Sequence, residues 1–133
     1  MELKYLVDTH ILLWAFSDPD RISAEIKSVL DDDMSDVYYS PISLWEIAIK
    51  FGLGKLDISG ISPEEFLEEL ESSFFLHKTL DRSTVISSYK LPRYHKDPFD
   101  RMLIWDAISS DMVFLSSDAR SDAYIENGLK VIH

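Results

Sequence analysis

Short apolar runs alternate with longer amphipathic segments along this chain. Residues 3–7, 37–39, 112–115 and 130–132 are short, mostly apolar stretches with the pattern of buried strands, and residues 74–76 form a weaker strand candidate. Strands that alternate with helices predict an α/β fold, because parallel strands are joined through such crossovers. We therefore expect a central, mainly parallel β-sheet flanked by helices.

Helix-start signals precede the amphipathic segments. Asp97 is a candidate N-cap, and Pro41 and Pro98 stand where a first helical turn tolerates proline. Ser62 and Glu65 have the spacing of a capping box. With these signals, helices are predicted to begin near residues 10, 23, 41, 63, 82 and 98.

Composition narrows the classes of protein that fit. The 133 residues are 46% hydrophobic, which suits one globular domain over residues 1–133. The sequence has no cysteine, which excludes disulfides and thiolate metal sites and fits a reducing cytosol. The first residues lack the features of a signal peptide, and no apolar run approaches the ~20 residues of a membrane span. We expect a cytoplasmic protein with no membrane association.

The net charge of −11 counts against nucleic-acid binding by the surface as a whole. Charges farther away than a Debye length, about 8 Å at physiological salt, are largely screened, so a local basic patch can suffice. The segment 90–101 is such a patch, with Tyr89 and Tyr94 positioned to stack on bases. Its basic residues are Lys90, Arg93, His95, Lys96 and Arg101. A solvated loop explains any single one of them equally well.

Four acidic residues stand where a parallel sheet would collect its functional groups. Asp8 follows the first predicted strand, and Asp118 follows the strand at 112–115. Glu46 lies in the third predicted helix, and Asp100 heads the apolar stripe of the last one, an unusual place for an unpaired charge. Ligands bind beyond the carboxyl ends of parallel strands, so we expect the chemistry there.

Each of these acids also has an ordinary structural explanation. Asp8 could cap a helix, and Glu46 could close a capping box with Ser43. Asp100 could be favoured by the helix dipole, and Asp118 could stand in a turn. If the third helix begins at the preceding proline, Glu46 lies beyond the first turn and cannot cap. The argument for a site rests on the combination of the four.

Three other classes with carboxylates or phosphate sites at strand ends are excluded. A receiver-type signalling domain needs an acidic pair after its first strand, and a haloacid-dehalogenase-type phosphatase needs Asp-x-Asp there. Asp8 is followed by Thr9 and His10, which matches neither. The chain also lacks the Gly-x-Gly-x-x-Gly motif of dinucleotide binding.

Four motifs together resemble those of the PIN-domain nucleases, and within them the VapC-like toxins of type II toxin–antitoxin modules. They are VDTH at 7–10, SPISLWEI at 40–47, HKDPFDR at 95–101 and SSD at 116–118, and the third is the most specific. The resemblance covers essentially the whole chain. It implies a PIN-like three-layer fold and a Mg²⁺- or Mn²⁺-dependent endoribonuclease. It also implies an RNA substrate, a homodimer and inhibition by a cognate antitoxin protein.

The resemblance assigns roles to individual residues. Asp8, Glu46 and Asp100 would hold the metal, with Asp118 contributing through a water molecule. Hard Mg²⁺ prefers such oxygen ligands, and it would offset the mutual repulsion of the carboxylates. Bound metal would polarise the scissile phosphate and position or deprotonate an attacking water.

Supporting residues follow from the same resemblance. Thr9 and Ser116 would orient carboxylates or waters, although Ser116 stands where the family usually has threonine. Asp106 is expected either to face solvent or to add a fifth acid at the rim. Three cations of the 90–101 patch are assigned to RNA, namely Arg93, Lys96 and Arg101.

Three histidines are not expected to bind metal. His10, His77 and His133 lack the paired spacing of histidine metal ligands.

The competing functional hypothesis is a degenerate PIN domain that only binds protein. The presence of all four acids argues against it, and the acidic net charge argues mildly for it.

Overall fold

The computed structural model describes residues 3–133, so residues 1 and 2 of the expected domain lie outside the described part. Five strands form one sheet in the order β3-β2-β1-β4-β5, and every pairing among these strands is parallel. The strands are β1 (Lys4–Val7), β2 (Asp36–Tyr39), β3 (Leu76–His77), β4 (Val113–Leu115) and β5 (Lys130–Ile132). The predicted α/β fold with a central parallel sheet is confirmed.

Helices cover both faces of the sheet. Within the described residues these are α1 (Thr9–Ser17), α2 (Ala24–Leu30), α3 (Pro41–Gly52), α4 (Pro63–Glu71), α5 (Arg82–Ser87) and α6 (Pro98–Ser109). Short 3₁₀ helices occupy Pro19–Arg21, Ser88–Lys90 and Ala119–Asn127. Ser62 and Glu65 form the predicted capping box, and Asp97 caps α6. None of these helices is long and apolar enough to cross a membrane.

The alternation of side chains along β1 explains the layered core. Tyr5 and Val7 point into the apolar cluster on one face, and Leu6 points into the cluster on the other. The first cluster is completed by α1, α2, α3 and α4, where residues such as Phe66 are fully buried. The second is completed by α6 and by Tyr124. Tyr5, Leu6 and Val7 are buried and only Lys4, at the start of β1, is exposed, which accounts for the apolar sequence of this strand.

Two elements differ from the sequence-based prediction. β3 begins at Leu76 rather than at residue 74, because the Phe75 N–H donates to the Ser73 hydroxyl (3.2 Å) instead of pairing in the sheet. The 3₁₀ helix at Ala119–Asn127 was not predicted; it buries Tyr124 and ends at Gly128, whose φ of 99° suits glycine.

The order of the strands places the candidate site. β1 has β2 on one side and β4 on the other, so the chain reverses direction across the sheet at β1. The Asp8 N–H donates to the Leu115 carbonyl (2.9 Å), which holds the ends of β1 and β4 together. The N-termini of α1, α3 and α6 follow at this carboxyl edge, the edge where ligands bind in open parallel sheets.

Candidate active site

Asp8 is a buried carboxylate held in one orientation. Its side chain is only 4% exposed and caps α1, with Oδ1 accepting from the Ile11 N–H (2.8 Å). Oδ2 accepts from the Ser117 N–H (2.8 Å) and the Ser117 hydroxyl (3.2 Å). Burial raises the pKa of Asp8, and these hydrogen bonds oppose that rise. Asp8 is therefore both a helix cap and a fixed acid at the sheet edge.

Glu46 lies on the second turn of α3, because that helix begins at Pro41 with Ser40 as its cap. The capping-box explanation is thereby excluded. The side chain is 2% exposed, its Oε2 pairs with the Lys50 ammonium, and its Oε1 is buried with no hydrogen-bond partner in residues 3–133. A buried carboxylate oxygen without a donor is costly, so a ligand would relieve it.

Asp100 stands in the first turn of α6, where Asp97 has already taken the capping role. Its Oδ2 lies 3.2 Å from His95 Nε2. Burial raises the pKa of Asp100 to about 6, with the nearby charges of Asp97, Glu46 and Asp8 adding to the rise and His95 opposing it. These acids therefore act electrostatically on one another, as expected of a cluster.

Asp118 follows β4 and has the opposite electrostatic environment. Its Oδ2 is 2.7 Å from the Arg120 guanidinium and 3.3 Å from His95 Nε2. The hydrogen bond from Arg120 lowers the pKa of Asp118 to about 2, despite an opposing contribution from burial. The Asp118 N–H donates to the Ser116 hydroxyl oxygen (3.0 Å), so Ser116 shapes the turn that carries this carboxylate.

His95 is a site residue that sequence reasoning placed only in the basic patch. It is 3% exposed, and its backbone N–H donates to the Tyr124 hydroxyl (2.8 Å). Its Nδ1 accepts from the Asp97 N–H (3.1 Å), which leaves the proton on Nε2, the nitrogen facing both Asp100 and Asp118. One side-chain atom from each of these three residues lies within 4.8 Å of the others. Its place in the HKDPFDR motif was the one signal available.

Lys50 was also missed by sequence reasoning, as was Arg120, the partner of Asp118. Burial lowers the pKa of the Lys50 ammonium, but the hydrogen bond and charge of Glu46 outweigh that effect, and Asp97 and Asp100 add to the rise. The net pKa is raised, so Lys50 stays charged against the cluster. Its position one helical turn after Glu46 is a common surface spacing, which gave no signal by itself.

The four acids are connected through Asp100, on which the charges of Glu46 and Asp8 act and which His95 joins to Asp118. Thr9, the first residue of α1, donates its hydroxyl to the Ser43 hydroxyl of α3 (3.0 Å). This bond ties the start of α1 to α3, the helix that carries Glu46. Thr9 therefore supports the arrangement rather than facing an open site.

The three cations predicted to bind RNA fall into two groups. Arg93 and Lys96 are exposed in the loop before α6. The Arg101 guanidinium instead donates to the carbonyls of Pro92 (2.7 Å) and Leu91 (3.0 Å). Arg101 therefore holds this loop in place, and Arg93 and Lys96 remain available to a ligand.

Asp106 corrects an expectation. It is 1% exposed and pairs with Lys78 (2.7 Å), with the Ser110 hydroxyl at 3.3 Å from the same oxygen. It lies six residues after Asp100, about one and two-thirds turns along α6. Asp106 neither faces solvent nor joins the acidic cluster. It fastens α6 to the chain that follows β3.

Comparison with known proteins identifies the family. Residues 5–126 match the PIN domain family. Because this match covers most of the chain, the protein belongs to the PIN domain family. Among curated proteins, no sequence matches this chain significantly.

Solved structures with the same fold include several toxin–antitoxin proteins. A chain of DNA-bound VapBC from Salmonella typhimurium is 21% identical, with a TM-score of 0.68 and coverage of 98% of this chain and 97% of that one. A chain of VapBC2 from Rickettsia felis, bound to a promoter DNA fragment, is 14% identical, with a TM-score of 0.67 and 98% coverage of both. A toxin–antitoxin complex from Klebsiella pneumoniae contains a chain that is 17% identical, with a TM-score of 0.61 and coverage of 97% and 96%. At these identities the likeness concerns the fold.

Proposed function

We propose that this PIN domain is a metal-dependent endoribonuclease that hydrolyses RNA phosphodiester bonds at the acidic cluster. The observation that carries the proposal is the group of acids around Asp100: Glu46 and Asp8 act on its charge, and His95 joins it to Asp118. Three of them carry costs that a bound cation would offset: burial of Asp8, the unpartnered oxygen of Glu46, and burial together with repulsion at Asp100.

The donor set fits a hard divalent cation. Asp8, Glu46 and Asp100 would hold Mg²⁺ or Mn²⁺, and Asp118, already paired with Arg120, would contribute through water. When bound, such a cation polarises the scissile phosphate and activates a water molecule. The choice of an oxygen-seeking metal follows from the carboxylates and from the absence of cysteine.

The surrounding residues hold the carboxylates for this task. Ser117 and the N-terminus of α1 fix Asp8, and the Nε2–H of His95 bridges Asp100 and Asp118. Lys50 balances part of the charge of Glu46. Such prior fixing reduces the reorganisation needed when the phosphate binds. Thr9 and Ser116 contribute by holding α3 and the β4 turn.

RNA would reach the cluster past the loop before α6. Arg93 and Lys96 are exposed there and would contact phosphates, while Arg101 holds the loop by donating to the Pro92 carbonyl. This local patch allows an acidic protein to bind a polyanion, because the acidic faces farther away are screened.

We further propose that the protein, as one domain over residues 1–133, is the toxin of a type II toxin–antitoxin pair in the cytoplasm. It would act as a homodimer restrained by a cognate antitoxin. Support comes from the fold, since similar chains belong to VapBC and other toxin–antitoxin complexes. The lack of cysteine agrees with a reducing compartment.

Two observations favour a second candidate, a PIN domain that only binds protein. The net charge is −11, and Lys50 already neutralises part of the acidic cluster. A binding module would keep its partner affinity after Asp8→Asn and would have no activity to lose.

The test is cleavage of a total-RNA panel by purified protein in Mg²⁺, with EDTA and Asp8→Asn protein purified identically. We expect cleavage that requires metal and disappears in Asp8→Asn. Cleavage that persists in the variant points to a contaminating nuclease. Wild type and variant that are equally inactive with Mg²⁺ and Mn²⁺ would contradict the proposal and favour the binding module.

A further inference from the structure

A cavity of about 540 Å³ lies beside α1, outside the acidic cluster. It falls between α1 and the chain that follows α3, and its size is in the range of small-molecule sites. The groups that matter for its chemistry are His10, Trp14, Asp18, Arg21, Asp57 and Ser59. The cavity therefore offers aromatic rings, a guanidinium and carboxylates to a ligand, and is not a purely apolar groove.

Three flat side chains are arranged along one wall of this cavity. The rings of His10 and Trp14 have centroids 5.7 Å apart with planes tilted by 36°. The Arg21 guanidinium carbon lies 4.4 Å from the centroid of the Trp14 ring. Planar aromatic and guanidinium groups are the surfaces on which proteins stack unpaired RNA bases.

Two exposed carboxylates stand at the edges of the same cavity. Asp57 uses Oδ1 to accept from the Gly60 N–H (3.0 Å), and its Oδ2 makes no hydrogen bond within residues 3–133. Asp18 makes no side-chain capping bond to the 3₁₀ helix that follows it. Both carboxylates can accept hydrogen bonds from a ligand that carries N–H donors.

Two residues of this cavity, Trp14 and Arg21, also line a second cavity with Ser117, whose N–H and hydroxyl donate to Asp8. His10 lies in the first turn of α1, two residues after its cap Asp8, and lines the first cavity. A strand of RNA whose phosphate lies at the cluster would therefore place a neighbouring base towards His10 and Trp14.

We propose that this cavity is a base-specificity subsite for the RNA strand, which takes an unpaired nucleobase bearing an exocyclic amino group. This rests on the proposed nuclease function. Guanine fits best, because its N1–H and 2-amino group present two adjacent donors that one carboxylate can accept together. Uracil offers a single N–H between two carbonyls and fits worst. His10, Trp14 and Arg21 supply the stacking surface, and Asp18 and Asp57 supply selectivity.

The first test uses a short single-stranded RNA with one cleavage site, varied base by base on either side of the cut. At one of these positions, the substrate with guanine should be cleaved with a kcat/KM about tenfold higher than the substrate with uracil. Asp57→Asn or Asp18→Asn should remove most of that preference. Asp33→Asn, an exposed acid in the turn before β2 at the opposite edge, should not change it. Replacing that guanosine by inosine, which lacks the 2-amino group, should slow cleavage by the wild type. It should not slow cleavage by whichever of Asp57→Asn and Asp18→Asn removes the guanine preference.

Cleavage with no base preference, or with a preference unchanged in both variants, overturns the subsite and leaves the nuclease intact. Pocket variants that affect only binding of a protein partner overturn it as well.

A second measurement does not depend on catalysis. The indole N–H signal of Trp14 in an NMR spectrum, assigned by its loss in Trp14→Phe, should move more with guanosine monophosphate than with uridine monophosphate. Asp57→Asn or Asp18→Asn should reduce that difference. An unmoved signal, or equal shifts with both nucleotides, contradicts the subsite even if no RNA is cleaved.

Discussion

Asp100 and Asp118 share one histidine but have opposite electrostatic environments. Burial and three neighbouring carboxylates raise the pKa of Asp100 to about 6. The Arg120 guanidinium, only 2.7 Å away, brings the pKa of Asp118 to about 2. Asp100 is therefore the acid that resists ionisation in the free protein, and Asp118 is the one that is already compensated.

This contrast predicts that Asp100→Asn stabilises the metal-free protein at pH 7.5 by about 2 kcal/mol, after a discount for solvent screening. Above pH 6 the carboxylate is charged in both states, and the folded state bears the full penalty. As pH falls from 6 towards 3.8, the folded state takes up the proton first, so the advantage of the variant disappears. Denaturant unfolding in EDTA across this range measures the effect.

Asp118→Asn is the matched comparison on the same histidine. Because the folded pKa is depressed, the carboxylate stabilises the fold above pH 4, and that contribution is lost as pH falls from 3.8 through 2. The variant should therefore be less stable than wild type at neutral pH. If both substitutions shift stability in the same direction at pH 7.5, the assigned environments are wrong.

The acids of the site could be proposed from sequence because they occur in four short motifs. His95 could not be assigned in this way, since its role depends on Nδ1 accepting from the Asp97 N–H. Arg120 and Lys50 were missed for a related reason. Long flexible cations reveal a partner only when the fold fixes both ends of the pair.

At the scale of elements, α3 carries both a buried acid and its counter-charge. Glu46 is 2% exposed and Lys50 about one-third exposed, one turn apart on the helix. The Thr9–Ser43 hydrogen bond fixes α3 against α1. The position of Glu46 in the site is thus set by the helix start at Pro41 and by this contact.

Lys50→Met should destabilise the metal-free protein by about 3 kcal/mol, because it leaves Glu46 buried without its partner. The double variant Lys50→Met/Glu46→Gln should recover most of that loss, since no buried charge remains. Thermal and denaturant unfolding of the two single variants and the double variant complete the cycle. Additive effects would show that the pair does not interact.

Element types were easier to predict than element ends. The strands and the capped helices follow from periodicity and first-turn signals, as with Ser62 and Glu65 at α4. The start of β3 depends on a side-chain bond from Ser73 that competes with the sheet. The 3₁₀ helix at Ala119–Asn127 depends on burial of Tyr124 beneath a mostly polar surface, which has weak periodicity.

At the scale of the molecule, the acids of the proposed site lie at one edge of the sheet, and the whole chain has a net charge of −11. Binding a polyanion then depends on a few exposed cations near that edge. Arg93 and Lys96 are exposed, whereas Arg101 is committed to backbone carbonyls. The sequence alone does not show which of these cations is free to bind a phosphate and which is bonded to backbone carbonyls.

The double variant Arg93→Ala/Lys96→Ala should weaken RNA binding. The slope of log affinity against log salt concentration should become shallower by about 2, one unit for each lost phosphate contact. Anisotropy titrations with the inactive Asp8→Asn protein as background measure this. Lys4→Ala, an exposed cation at the amino end of β1, serves as the control and should leave the slope unchanged. Equal slopes for all three proteins would show that RNA binds elsewhere.

The central claim is that the acids at the carboxyl edge perform catalysis, and α6 offers the most direct test of it. Asp100 and Asp106 are two acids on one helix, and only Asp100 lies in the cluster. We would measure RNA cleavage by Asp100→Asn and Asp106→Asn in saturating Mg²⁺, after showing that both are folded. The account predicts a loss of at least about a hundredfold for Asp100→Asn and near wild-type activity for Asp106→Asn. Equal activity in the two variants, or loss in Asp106→Asn alone, would contradict it.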